Sequence, residues 1–253
     1  MNFQNSPVPA PDTERPLVIR IARRLRSFGD RLIQGSSLVP NDPVLNPRDF
    51  AWTALLRDNW EAIREEAMAT ALQRGLAPSL ADISPDHRKI AQVDMWRSFF
   101  LFGYGYRIEE NAVRCPRTMA VVDQIPDLVT VFFSILAPGT HIPPHRGISK
   151  ALLNCHLALI VPRDGDVRMR VDRELLHWTE GEAIVFDDTY DHEVWNDSSG
   201  TRVVLLVQVR RPMRAPGRWL ADAVMAFVRR SPFVQEARTN IAQWNAAMKV
   251  LDG

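Results

Sequence analysis

The sequence predicts a mainly β protein flanked by helical N- and C-terminal segments. Two observations carry this. From residue 128 the chain runs as LVTVFFSILA, ALLNCHLALIV, VRMRV, ELLHW, EAIVF, HEVWN and RVVLLVQV, separated by turn formers such as PGT, PRDGD, TEGE, DDTYD and DSSG. Seven or so short strands at this spacing fit a sandwich or barrel of the jelly-roll kind. On both sides of that region the apolar residues recur at helical spacing instead.

Taken in order, residues 1–16 are polar and Pro-rich and read as a disordered tail. Residues 17–45 read as an amphipathic helix and a Pro-rich connector. Leu17, Ile21, Leu25, Phe28 and Leu32 share one face, with Arg20, Arg23, Arg24 and Arg31 largely on others. The main domain is expected over 46–212, with helices within 46–101 and the β core over 128–212. One helix covers about 47–75, opened by Asn46-Pro47 as cap and first turn, and another about 86–101. After Pro212 two helices are expected over 213–253, RWLADAVMAFVRR and VQEARTNIAQWNAAMKVL. The Arg-rich stripes over 17–33 and 214–230 are expected to pack on the β core with their arginines solvated. The alternative for both is peripheral contact with an anionic membrane surface.

The 253 residues carry a net charge of +1, so no global field recruits nucleic acid, and no nucleic-acid partner is expected. Cys115 and Cys155 make neither a disulfide framework nor a Cys-rich metal site. No apolar run approaches the roughly 20 residues needed to span a bilayer. MNFQNSPVPAPDTERP lacks the basic-then-apolar layout of a signal peptide. A cytoplasmic protein is expected, with a peripheral position at the inner face of the membrane as the variant.

Five of the six histidines fall between 141 and 192, inside the β region. His87 and His177 read as ordinary structural histidines. His145 and His192 each follow a turn at a strand start, where a jelly roll gathers distant strands at one mouth, and imidazole there suits Fe, Zn, Cu or Ni. A facial triad would have a carboxylate two residues after His145; Gly147 stands there. Asp187, Asp188, Asp191 and Glu193 are candidate third ligands. Their structural reading, as turn caps or supports, is preferred, and Glu193 should face away from His192. Arg202, His156 and Ser134 are polar residues on apolar strands. A guanidinium buried beside Val and Leu needs a carboxylate. Together these residues suit a pocket for a metal-chelating dicarboxylate.

PGTHIPPHRG, NCHLALIVP, WTEGEAIVFDDTYDHEVWN and RVVLLVQVRRP, with CPRT at 115–118, resemble the aspartyl/asparaginyl β-hydroxylase family, from about Trp52 to Pro212. The resemblance implies a double-stranded β-helix core of jelly-roll, cupin-like form and a dioxygenase using Fe(II), 2-oxoglutarate and O2. It implies that His145 and His192 hold the iron, with water in place of a third protein ligand. Arg202 then pairs with the distal carboxylate of 2-oxoglutarate, Ser134 assists it, and His156 lies near the chelating end. No side-chain general base is implied, so no catalytic residue is expected beyond the metal site.

In the peptide-modifying members the strand matching that of His156 presents arginines; here Leu152 and Asn154 stand there. The expected substrate is therefore small and amino-acid-like or lipid-linked. Two alternatives remain: a peptidyl aspartyl/asparaginyl hydroxylase, with Arg146 as a substitute cation, and a non-enzymatic, cupin-like metal-binding protein. His192-Glu193-Val194-Trp195-Asn196 fits the latter, and Arg202 argues against it. The helices before residue 128 are expected to buttress the sheet and shape the substrate mouth, where Trp96 and Tyr104 are candidates, with a core role preferred for both.

Overall fold

The computed structural model describes residues 28–72, 76–84, 87, 90–91 and 94–251. The expected tail over 1–16 and the first part of the helix over 17–33 lie outside them. In chain order the first elements are α1 (28–36), β1 (Val44–Leu45), α2 (Trp52–Asp58), α3 (Trp60–Ala67) and α4 (Leu80–Ile83). Next come β2 (Trp96–Gly103), β3 (Tyr106–Arg107), α5 (Glu109–Ala112), α6 (Pro116–Val122), β4 (Leu128–Leu136) and β5 (His141–His145). The rest are β6 (Leu152–Ile160), β7 (Asp166–Val171), β8 (Glu174–His177), β9 (Ala183–Phe186), β10 (His192–Asp197), β11 (Arg202–Arg210), α7 (Gly217–Arg229) and α8 (Pro232–Leu251).

Two antiparallel sheets result, β1-β9-β6-β11-β4-β2-β3 and β5-β10-β7-β8. From β4 to β11 the chain alternates between them, except at the β7–β8 hairpin, and so winds a double-stranded β-helix. The strand patterns explain the division. β4, β6 and β11 are apolar on both faces because both are covered. Their helix-facing residues, such as Phe133, Cys155 and Leu205, pack with Leu56, Ile63 and Met119 of α2, α3 and α6. Their other faces meet the smaller sheet, where Phe132, Ala158 and Val204 join Met169 and Val194. β7 alternates instead: Val167, Met169 and Val171 are buried, while Arg168 and Arg170 point outward. A one-residue slip would bury those arginines, so the pattern fixes the register.

Asn46 caps as expected, its side chain accepting the Arg48 N–H at 3.1 Å, with Pro47 in the first turn. The long helix expected over 47–75 is broken into a 3-10 turn, α2, α3 and a π turn (Met68–Leu72). The buried Glu66 carboxylate accepts the Arg117 and Thr118 N–H groups, at 2.9 and 2.8 Å, at the start of α6. This satisfies N-terminal donors of that helix and gives the CPRT stretch a structural role.

Two expectations are corrected. The helix expected over about 86–101 does not extend through its last third, because Trp96–Gly103 is strand β2, paired with β4. Phe99 stacks on Phe133 and Phe100 on Phe132, one pair on each face. A strand covered on both sides reads as an unbroken apolar run, which periodicity alone cannot separate from a buried helix. The second concerns α7. It buries only the narrow seam of Gly217, Ala221 and Met225, leaving Trp219, Val224 and Phe227 exposed rather than packed on the core.

Candidate metal centre and carboxylate pocket

His192 opens β10 as expected, but His145 ends β5 instead of starting a strand, because the pairing with β10 already begins at His141; the antiparallel register sets the two opposite each other. Their rings lie 4.0 Å apart between centroids. His145 Nδ1 is 2.8 Å from the Pro143 carbonyl, and His192 Nδ1 is 3.0 Å from that of Tyr190. A carbonyl only accepts, so each Nδ1 carries the proton and each Nε2 keeps a free lone pair. This is the tautomer a metal ligand needs, fixed by the backbone. Burial lowers both imidazole pKa values, that of His192 to about 4, so both rings are neutral at pH 7.

Among the described residues no set of three His, Cys, Asp or Glu side chains is placed to hold a metal. The four candidate third ligands have other partners. Asp187 is wholly buried, ion-paired with Arg211 and Lys150, and accepts the Thr189 N–H and hydroxyl. Asp191 and Glu193 pair with Arg170, Glu193 on the outer face as expected. Asp188 accepts from Asn154 Nδ2 at 2.9 Å. A Cβ built at Gly147 would lie 2.1 Å from Asp188 Oδ1, so that carboxylate fills the side-chain space beside Gly147.

Beyond the histidines, inward positions of β4, β6 and β11 gather the other expected residues. Arg202 is opposite Leu136, and Ser134 is its diagonal neighbour on β4. Arg202 is 1% exposed, with Nε and Nη1 unpartnered, and its guanidinium lies 4.9 Å from the Trp178 ring centre. Burial pulls its pKa down to about 9, so it still carries its charge at neutral pH. His156 is buried with neither ring nitrogen bonded. Its pKa is driven far below the usual value by burial, then by Arg202 and His192. Ser134 Oγ accepts from the Trp96 indole at 3.0 Å, which frees its own proton for a ligand. A buried, unpaired guanidinium is costly unless an anion completes it.

His145, His192, His156, Arg202 and Ser134 all line one cavity of about 650 Å³. Leu152 and Asn154 lie on its wall, and sequence reasoning missed His87 and Gln208 there. His87 bonds Ser84 at 2.7 Å and meets Trp96 edge-on, and its long separation from the other histidines gave no signal. Trp96 and Tyr104, for which a core role was preferred, are both wall residues.

A family model described as "Aspartyl/Asparaginyl beta-hydroxylase" matches residues 57–212. The chain belongs to the aspartyl/asparaginyl β-hydroxylase family. A Rhizobium tropici "Ornithine lipid ester-linked acyl 2-hydroxylase" is 41% identical over 205 residues, covering 81% of this chain and 73% of that protein. The human "Aspartyl/asparaginyl beta-hydroxylase" is 31% identical over 183 residues, covering 69% of this chain. Those residues span only 23% of the human protein. A Pseudomonas putida prolyl-4-hydroxylase structure matches at 16% identity and TM-score 0.41, over 64% of this chain and 99% of that one. Membership of the aspartyl/asparaginyl β-hydroxylase family makes this protein a hydroxylase.

Proposed function

We propose that this protein is an Fe(II)- and 2-oxoglutarate-dependent dioxygenase that hydroxylates a C–H bond in the acyl chain of an amino-acid-linked lipid. The observation that carries the cosubstrate is Arg202, a charged, buried guanidinium with two unpartnered nitrogens on the wall of the cavity that holds His145 and His192. The pair of free Nε2 atoms fits a metal with several open positions, as a chelating oxo acid and oxygen require. When bound, Fe(II), 2-oxoglutarate and O2 supply the oxidation: the oxo acid leaves as succinate and CO2, one oxygen atom entering succinate and the other the substrate.

The chain's own residues bind and orient. His145 and His192 hold the metal, and Arg202 with Ser134 takes the distal carboxylate in a charge-assisted pair. His156 stays neutral beside the chelating end, so it adds a hydrogen bond without opposing Arg202. Fe(II) is favoured over the other imidazole metals by family membership, not by the donor set. Phe100, Phe132, Ile142 and Leu206 on the cavity wall keep water out and offer an apolar lining suited to a hydrocarbon chain.

Two observations favour a lipid over an acidic peptide. One is the ornithine-lipid acyl hydroxylase as a relative over most of both chains. The other is β6, which itself carries no Lys or Arg and whose Asn154 is committed to Asp188 and Gln208; Arg146, the cation the peptidyl alternative needs, lines the cavity from the β5–β6 loop. Incubation of the enzyme with Fe(II), 2-oxoglutarate, O2 and an ornithine lipid, followed by mass spectrometry, tests the reading. One added oxygen on a fatty-acyl fragment is expected. Oxidation of an Asp- or Asn-containing peptide with the lipid untouched would replace it with the peptidyl reading. Metal binding with no 2-oxoglutarate turnover on any substrate would favour the cupin-like one.

A further inference from the structure

The α7 surface has the composition of a membrane-docking helix. Trp219 is 70% exposed and Phe227 77%, and Val224 and Phe28 of the neighbouring α1 are exposed as well. A soluble surface rarely gathers so many large apolar side chains without a partner. The helix is held from below by small or flexible residues: Gly217 against Ser36, Ala221 with Ile33 and Met213, Met225 on Val129 and Leu152. That narrow seam leaves the aromatic face turned outward.

The charge around it is one-sided. Over residues 214–230 the chain carries Arg214, Arg218, Arg229 and Arg230 against Asp222 alone. Asp222 is already paired with Arg210. Exposed aromatic side chains on a segment this rich in arginine complement an anionic phospholipid surface, where the rings enter the headgroup boundary and guanidinium groups meet phosphates. The preceding residues 15–26 add Arg15, Arg20, Arg23, Arg24 and Arg26, which extends the same sign along the sequence.

The position of α7 links this face to the cavity. Met225 packs on Leu152, a cavity-wall residue. Arg229, the last residue of α7, stands over the ring of Tyr106, as does Arg238 of α8, and both Tyr106 and Arg238 line the cavity. Ile148, 55% exposed, lines it as well, in the β5–β6 loop that carries Ala151 to the α1–α7 layer.

We infer that α7 docks the protein on an anionic phospholipid bilayer through Trp219, Val224 and Phe227, setting the cavity beside the membrane so that an acyl chain can enter it. The use of that position rests on the acyl-lipid reading; the docking does not, and is measured without metal or cosubstrate. The full-length protein is floated with vesicles of phosphatidylcholine alone or mixed with phosphatidylglycerol. Binding to the mixed vesicles is expected, weakened by salt as surface charge pairing is. Trp219→Ser/Phe227→Ser should reduce it about tenfold or more, with circular dichroism and thermal melting unchanged. Arg218→Glu/Arg230→Glu should weaken it in the same way. Equal binding to neutral vesicles, no binding to either, or binding indifferent to the double variants overturns the proposal. So does a wild-type dimer in solution that Trp219→Ser/Phe227→Ser turns into a monomer, since the face would then join two copies. Failure of the acyl-lipid reading shows separately, as docking without lipid hydroxylation.

Discussion

The Asp188 carboxylate lies where a side chain at Gly147 would have to go: an added Cβ would come within 2.1 Å of Oδ1 and 2.2 Å of Cγ. The Gly147 N–H also donates to the Asp188 carbonyl at 2.7 Å. The two residues form one unit, and the missing carboxylate at 147 is the counterpart of a present one at 188.

That relationship predicts the cost of adding a methyl group. Gly147→Ala must displace the Asp188 side chain and should cost about 1–3 kcal/mol, the range for overpacked sites. Asp188→Ala in the same chain should recover most of it. Urea denaturation of the two single variants and the double variant reads the coupling. Strict additivity would show that the two groups do not compete for space.

Arg202 gives a prediction with two opposite signs. In the metal-free, cosubstrate-free protein Arg202→Met should leave stability unchanged or raise it, because it removes an unpartnered buried charge. The same variant should weaken 2-oxoglutarate binding by about a hundredfold or more, as loss of a buried charge pair does. Thermal melting and calorimetric titration measure the two effects. Marked destabilisation with intact cosubstrate binding would mean that Arg202 serves the fold.

The two imidazoles predict an all-or-none metal site. With no third protein ligand among the described residues, His145→Ala or His192→Ala should each abolish Fe(II) binding near neutral pH. The fold should persist, since each Nδ1 bonds only a local carbonyl. Equilibrium dialysis against Fe(II) under argon is the measurement. Retention of one iron per chain in either variant would point to other ligands.

Asp188 makes the metal-free protein pH-sensitive. Burial, and then the charge of Asp187, raises its pKa from 3.8 to about 7. Between those values the folded chain holds a proton that the unfolded chain has lost. The group's contribution therefore falls as pH rises from about 4 to about 7 and is flat above that. Asp188→Asn removes the dependence, so the variant should gain stability relative to the parent as pH rises from about 4 to about 7, with no further gain above. A difference that does not change with pH would rule out a raised Asp188.

Much of the site was legible because its chemistry clashes with its surroundings. Arg202, His156 and Ser134 stand out as polar residues in apolar strands, and His192 as a strand-start histidine, whereas His145 was marked by its clustering with the other β-region histidines and not by its place in its strand. The jelly-roll reading rested on short β-rich runs separated by turn formers; β7 and β10 also keep period two, because one face of the smaller sheet meets solvent. Strand β2 was not legible: covered on both faces, WRSFFLFG shows no period-two signal. The exposed face of α7 was misread for a related reason. An amphipathic stripe shows that a helix has an apolar side, but not whether that side meets the core or faces outward. His87 was invisible as a wall residue because only the tertiary fold brings it to Trp96.

The central claim is that His145, His192 and Arg202 form one site for a metal-chelated oxo acid. The direct measurement is an anaerobic titration of the purified protein with Fe(II) and then 2-oxoglutarate, followed by visible absorbance. A weak charge-transfer band that appears only with both additions, and is absent in His145→Ala and Arg202→Met, is the predicted result. Fe(II) binding with no band at saturating 2-oxoglutarate would contradict it.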